Sequence, residues 1–432
     1  MTGQENAPMT TSPLPSADCG CPESPRLAAS RRGVLRGAAL AGATMAFGST
    51  MVTLDARRDP AGAAAPARSV IVLLSLRGAA DGLSLVVPHR ETAYYAARPG
   101  IAVPAASLLA ADATFGLHPS LAPLLPLWNA GRLAAIHATG LPVANRSHFS
   151  AMEEIEDADP GSAARIGWLN RLVGAATSDS SLEALAVGNG LPASMLGPEP
   201  VMSFRSLETA AIGGDDQWDP KKTRSRSLHT LWGSSDSALG VAARTALNAV
   251  VSLDPAKAQA DHVSSYPDSD LGRALSAIAR TLRADLGVSA VTVDSGNWDM
   301  HVGLGKPTSG WLQRNGSDLA SGIAAFFADL GAMGDRVTLV TLSEFGRRVQ
   351  ENGTGGLDHG WGNVMFAAGA GVKGGRYYGR WPGLQNTLDA DVSVTTDFRS
   401  VLAEVVRTRT PASVATVFPG FAPETLGFMT GL

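Results

Sequence analysis

Apolar residues in this chain fall into short unbroken runs separated by longer amphipathic stretches. Ser69-Val70-Ile71-Val72-Leu73-Leu74-Ser75-Leu76 lacks the alternation of a half-exposed strand, as expected of a parallel strand buried on both faces. Leu133 to His137, Ser289 to Val293 and Val337 to Leu342 read the same way. Helical spacing lies between these runs. Pro119 to Ala130 predicts a helix, with Pro119 in its first turn and Gly131 at its end. Further helices are predicted from about Ser147, over Asp318 to Met333 and over Asp397 to Arg407. This alternation predicts an α/β fold, a mostly parallel sheet with helices on both faces. Residues 176–265 are less regular, and the polar, Ser-rich stretch from Asp215 to Asp236 reads as a surface insertion. No repeat or low-complexity linker divides the rest, so residues 68–432 are expected to form one α/β domain with insertions.

The first 67 residues read differently. A polar, Pro- and Ser-rich start leads to Ser30-Arg31-Arg32-Gly33-Val34-Leu35-Arg36, which resembles the twin-arginine export motif. A weakly apolar stretch follows from Gly37 to Leu54, and Ala63-Ala64-Ala65 and Ala65-Pro66-Ala67 offer A-x-A cleavage sites. The stretch is too short and Gly-rich for a stable transmembrane span. The resemblance implies the Tat translocase as a partner during export and a periplasmic or secreted location. Composition narrows the chemistry further. With 35 Lys+Arg against 39 Asp+Glu, the net charge of −4 gives no reason to expect nucleic-acid binding. The only cysteines, Cys19 and Cys21, are one residue apart, too close for an ordinary disulfide. A thiolate metal site or Cys nucleophile in the body is therefore excluded.

In open parallel sheets, ligands gather beyond the carboxyl ends of the strands. Arg77-Gly78-Ala79-Ala80-Asp81-Gly82 follows the first predicted strand. Asn145-Arg146-Ser147-His148 comes after the second, Asn297-Trp298-Asp299-Met300-His301 after the third, and Ser343-Glu344 with Asp358-His359-Gly360 after the fourth. Asp81, Asp299, His301, Glu344, Asp358 and His359 thus form a candidate set of metal ligands. Oxygen and nitrogen donors without sulfur suit Zn, Mn, Fe, Mg or Ca. Ser147 falls at a helix start, where free N–H groups favour an anion. His148 is a candidate general acid or base. Each signal also has a plain alternative: a turn pair at Asp81-Gly82, an N-cap at Ser147, a helix-capping acid at Glu344, an Asp–His hydrogen bond at Asp358-His359. Arg77, Arg146, Arg347 and Arg348 suit phosphate or sulfate oxygens and equally suit ion pairs with the neighbouring acids. His118 and His137 read as cap or core residues. Lys373-Gly374-Gly375-Arg376 lacks phosphate-loop spacing, which argues against nucleoside-triphosphate binding.

Several segments together carry a resemblance over most of residues 68–432: Leu76-Arg77-Gly78-Ala79-Ala80-Asp81-Gly82, Leu117-His118-Pro119-Ser120-Leu121, Arg146-Ser147-His148-Phe149, and Thr341-Leu342-Ser343-Glu344-Phe345-Gly346-Arg347-Arg348 with Asp358-His359-Gly360. The chain resembles the exported bacterial family catalogued as domain of unknown function fifteen-hundred-one, grouped with the alkaline phosphatase and sulfatase-like superfamily. That resemblance implies an alkaline-phosphatase-like fold and two metal sites, Asp81 and Glu344 at one and Asp299, His301 and His359 at the other. Ser147 would be the nucleophile, with Arg146 and His148 beside it. The chain departs from the superfamily pattern at Phe345, where a ligand His is usual, and in the tight spacing of Asp299 and His301. The expected function is metal-dependent hydrolysis of phosphate or sulfate esters. The alternative is a non-catalytic envelope protein on the same fold that binds a partner or an anionic glycan.

Overall fold

The buried strands assemble into one large sheet, described here from a computed structural model covering residues 43–47, 50–54, 65–175, 182–212 and 219–431. In chain order the strands are β1 (Ala43–Phe47), β2 (Thr50–Leu54), β3 (Val70–Leu76), β4 (Val86–Val87), β5 (Gly116–Leu117), β6 (Leu133–Gly140), β7 (Ala184–Val187), β8 (Met202–Phe204), β9 (Ala290–Ser295), β10 (Val337–Leu342), β11 (Asn363–Gly369), β12 (Arg376–Tyr378) and β13 (Thr396–Asp397). Eleven of them form a sheet of order β1-β2-β8-β7-β9-β3-β10-β11-β6-β12, with β13 also on β6; β4 and β5 pair separately. The centre, β8-β7-β9-β3-β10, is parallel throughout.

Period-two geometry explains why β3 can be apolar along its whole length. Val70, Val72, Leu74 and Leu76 enter the core on one face, and Ile71 and Leu73 enter the core on the other. The first face is covered by helices Asp270–Arg283 and Trp311–Leu330, the second by His148–Asp157, Trp168–Gly174 and Phe398–Arg409. Leu271, Leu275, Ile278 and Leu282 make one buried stripe on helix Asp270–Arg283. Ser269 caps that helix by accepting from the Gly272 N–H at 2.9 Å, and Arg280 and Arg283 lie in its last turn.

The sheet is mostly parallel, as expected, with β11 antiparallel between β10 and β6 and with β1 and β2 antiparallel at the far edge. Other expectations need correction. The irregular region 176–265, expected to be an insertion, supplies β7 and β8, two short strands of the parallel centre, and Ala246, Leu247 and Leu253 within it are core residues. Part of the stretch read as the apolar portion of an export signal forms β1 and β2; β2 is antiparallel to β8 and Val52 is fully buried. Arg31, Arg32 and Ala63 lie outside the described residues. The helix expected from Asp318 begins earlier, at Trp311. Gly316 and Ser317 lower local helix propensity, yet a Cβ at Gly316 would lie 2.3 Å from Ser120 Oγ, so glycine there permits close packing. The stretch after His118 begins as a 3-10 turn, Pro119–Leu124, and continues as helix Leu125–Asn129. Pro123 and Pro126 remove backbone donors that one continuous α-helix would use.

Candidate metal centre at the carboxyl edge of the sheet

Four loops leave the same edge and are tied together by their own backbones. After β3, the Trp298 N–H donates to the Arg77 carbonyl at 3.1 Å, drawing the loop after β9 alongside. Gly78 has φ +109°, and a Cβ there would lie 2.5 Å from the Asp299 nitrogen, so the approach of the two loops requires glycine. After β10, Ser343 Oγ donates to the Leu76 carbonyl at 2.7 Å and accepts from the Ala80 N–H at 3.1 Å. The chain then folds back on itself: Arg348 N–H bonds the Asp358 carbonyl at 2.9 Å and Gly360 N–H bonds the Gly346 carbonyl at 2.8 Å. That return places His359 over Phe345. After β6, Asn145 Oδ1 accepts from the Ser147 N–H at 3.1 Å, and helix His148–Asp157 begins there.

Three imidazoles and one carboxylate converge where these loops meet. His359 Nε2 lies 2.9 Å from His148 Nε2 and 2.9 Å from His301 Nε2. Asp299 Oδ1 lies 3.2 Å from His301 Nε2, 3.6 Å from His148 Nε2 and 3.8 Å from His359 Nε2. One donor atom each from His148, Asp299 and His359 all fall within 4.8 Å of one another. The outer nitrogens decide what this means. His148 Nδ1 faces Glu344 Oε1 at 2.8 Å, His359 Nδ1 faces the Arg146 carbonyl at 2.8 Å, and His301 Nδ1 faces Asp358 Oδ1 at 3.3 Å. All three partners are acceptors, so each Nδ1 donates outward and each Nε2 is turned toward the centre. Nε2 atoms this close repel unless a proton or another positive charge stands between them. Imidazole oriented by an outer acceptor is also the arrangement that metal-binding histidines adopt.

The electrostatics favour positive charge at this centre. Burial opposes protonation of His148, but hydrogen bonds to Asp299 and Glu344 push it up to about 9. Burial likewise opposes ionisation of Asp299, yet bonds from His148, His301, His359 and Arg347 hold it far below the usual carboxylate range. Arg347 is buried and almost fully satisfied. It donates to the carbonyls of Ala79 at 2.7 Å, Gly78 at 2.6 Å and Leu357 at 3.0 Å, and to Asp299 Oδ1 at 2.5 Å. Phe345 packs under the site, with ring centroids 4.9 Å from His148 and 5.0 Å from His359.

Of the residues expected at the site, Asp299, His301 and His359 meet at its centre, joined by His148. Glu344 and Asp358 sit one step back, behind His148 and His301. Glu344 is buried, and it also accepts from the Gly78 N–H at 2.8 Å. Arg146 contributes its carbonyl, while its guanidinium pairs with Asp391. Ser147 stands at the helix start without capping it through its side chain. Asp81 is elsewhere: its carboxylate takes both forks of Arg98, at 2.6 and 3.0 Å, and caps Ser84. A carboxylate so occupied and buried offers no lone pair to the histidines. Arg98 carries no sequence motif, which is why its claim on Asp81 was invisible in the sequence. The loop arginines resolve as ion-pair partners: Arg77 with Glu156 and Asp294, Arg347 with Asp299, and Arg348 with Asp391. His118 caps the following turn by accepting from the Ser120 N–H at 3.0 Å, and His137 is buried against Phe115 and Trp381.

No curated protein matches the chain. Over residues 67–406 it matches the model of a family described only as "Protein of unknown function (DUF1501)", and to that family it belongs.

Proposed function

We propose that this protein is a metal-dependent hydrolase of phosphate or sulfate esters, on an alkaline-phosphatase-like arrangement of sheet and helices. The observation that carries the reading is the convergence of three inward-facing imidazole nitrogens and the Asp299 carboxylate at the carboxyl edge of a parallel sheet. His148, Asp299 and His359 would hold the ion, with His301 alongside. This donor set suits Zn, Mn or Fe better than Mg or Ca, which take oxygen ligands. When bound, such an ion polarises an ester oxygen and lowers the pKa of a water or hydroxyl beside it. The chain's own part is positioning. Glu344, Asp358 and the Arg146 carbonyl fix the three rings, and Arg347 fixes Asp299. Ser147, its side chain uncommitted to the cap, would supply the nucleophilic oxygen at the N-terminus of a ten-residue helix, where backbone N–H groups stabilise an oxyanion.

With Asp81 engaged by Arg98 and Phe345 apolar, the residues present fit one metal better than two. Phe345 also favours a second reading, a non-catalytic protein that uses the same site to hold an anionic glycan. We also propose export through the Tat translocase to the periplasm or beyond, on the strength of Arg31-Arg32 and the Ala-rich segment after them. No helix among the described residues is long and apolar enough to cross a membrane.

Elemental analysis of protein purified without chelator, paired with turnover of aryl phosphate, phosphodiester and aryl sulfate esters, tests the proposal. A hydrolase should carry near-stoichiometric metal and lose turnover in Ser147→Ala while keeping the metal. Metal without turnover of any ester would favour the binding reading. Absence of metal, with none taken up on titration, would defeat the hydrolase reading and leave the binding protein as the default.

A further inference from the structure

The loop that supports Asp299 has a second neighbour. On the other side of Arg77, beyond the carboxyl ends of β7, β8 and β9, lies a cavity of about 580 Å³, within the size range of small-molecule sites. Its wall is built. Arg77 is held by Glu156 at 2.5 Å and Asp294 at 3.0 Å, and the Gly190 carbonyl accepts from Ser203 Oγ at 2.9 Å. Gly188 and Gly190 have open space where a Cβ would stand, so the loop presents bare backbone to the cavity. Asn189, Arg205, Ser206, Asp270 and Asp294 supply the polar lining. Arg205 has no ion pair among the described residues, whereas Arg77 and Arg273 are both matched by acids. The mixture restricts the ligand. A site for a bare anion would be weakened by Asp270 and Asp294, and a site for a neutral polyol has no need of an unmatched guanidinium. Hydroxyl groups can donate to the two aspartates while a carboxylate or phosphate meets Arg205.

We propose that this cavity binds a small anionic polyol, a sugar acid or sugar phosphate of one or two rings. The site is independent of the metal reading, because none of the four converging residues lines it. It shares the β3 loop with them, since Gly78, next to Arg77, abuts Asp299. A molecule in the cavity therefore lies beside the metal centre, along the same sheet edge.

Isothermal titration of the purified protein with glucuronic acid, glucose 6-phosphate, glucose and inorganic phosphate tests the inference. At least one of the anionic sugars should bind, with glucose and inorganic phosphate weaker by about tenfold or more. Which of the two prevails tells a carboxylate preference from a phosphate preference. Arg205→Met, at an exposed position, should weaken that binding by about tenfold. Asn189→Ala should weaken it less. His359→Ala should bind as the wild type does, which separates this site from the metal centre. No binding of either anionic sugar, inorganic phosphate binding equally well, or an unchanged Arg205→Met would overturn it.

Discussion

Two polar clusters stand at the same edge of the sheet, and they are opposites. In one, Asp81 and Arg98 satisfy each other. Both are buried, the two forks of the guanidinium meet the two carboxylate oxygens, and the remaining donors of Arg98 bond the carbonyls of Val349 and Arg348 at 2.9 and 3.0 Å. In the other, His148, His301 and His359 find acceptors for their outer nitrogens, and Asp299 is held by Arg347. Their inner atoms face one another, partly exposed, at 2.9 to 3.8 Å. The first cluster is complete and holds the fold. The second gathers its inner nitrogens and one carboxylate oxygen around a single point. A carboxylate just past a strand therefore does not identify a ligand. What identifies one is a donor atom left unmatched after every neighbour has been counted.

Breaking the closed cluster should have the largest effect. Arg98→Ala leaves Asp81 buried without its counter-charge, and chemical denaturation should show a loss of about 3–5 kcal/mol. Metal content, measured on the fraction that folds, should be unchanged; if metal is lost with Arg98, Asp81 belongs to the ligand set after all. Opening the other cluster should do the reverse. His359→Ala should abolish metal binding by elemental analysis, while the metal-free variant unfolds within about 1 kcal/mol of the metal-free parent, as expected for a partly exposed side chain. A smaller effect is expected one step out. Glu344→Gln keeps the shape but no longer holds His148 as a carboxylate does, and metal affinity by competition with a chelator should fall about 10- to 100-fold. An affinity equal to that of the parent would remove Glu344 from the site's support.

The smallest effect concerns pH. Burial lowers His118 to about 4, against an ordinary 6.5. Between those values the unfolded chain binds the proton and the folded chain does not, so stability is fully present above pH 6.5 and declines as pH falls toward 4. His118→Asn, which can still accept from the Ser120 N–H and cannot titrate, should flatten that part of the melting-temperature profile. An equally steep profile would assign the acid sensitivity elsewhere, for instance to His137, which burial also lowers to about 4.

The strands at the middle of the sheet were legible in sequence because both of their faces are buried. β3, β9 and β10 appear as apolar runs close to their observed bounds. β7 and β8 were missed because, at four and three residues, neither is long enough to show a period. β11 is as apolar as β10, and nothing local reveals that it runs the other way. The site divides along similar lines. Asp299, His301 and His359 could be found because each follows a strand, and strand ends share an edge. His148 was noticed as an acid or base, since its ring nitrogen meets the others only through the fold. Local sequence, through burial and turn chemistry, determined which segments are strands and which loops carry donors. Only the tertiary structure decided which donors remain unmatched, because Arg98 reaches Asp81 from 17 residues away and Arg347 reaches Asp299 from 48. Hydrogen bonding and charge pairing are settled by distance in space, and separation along the chain does not encode it.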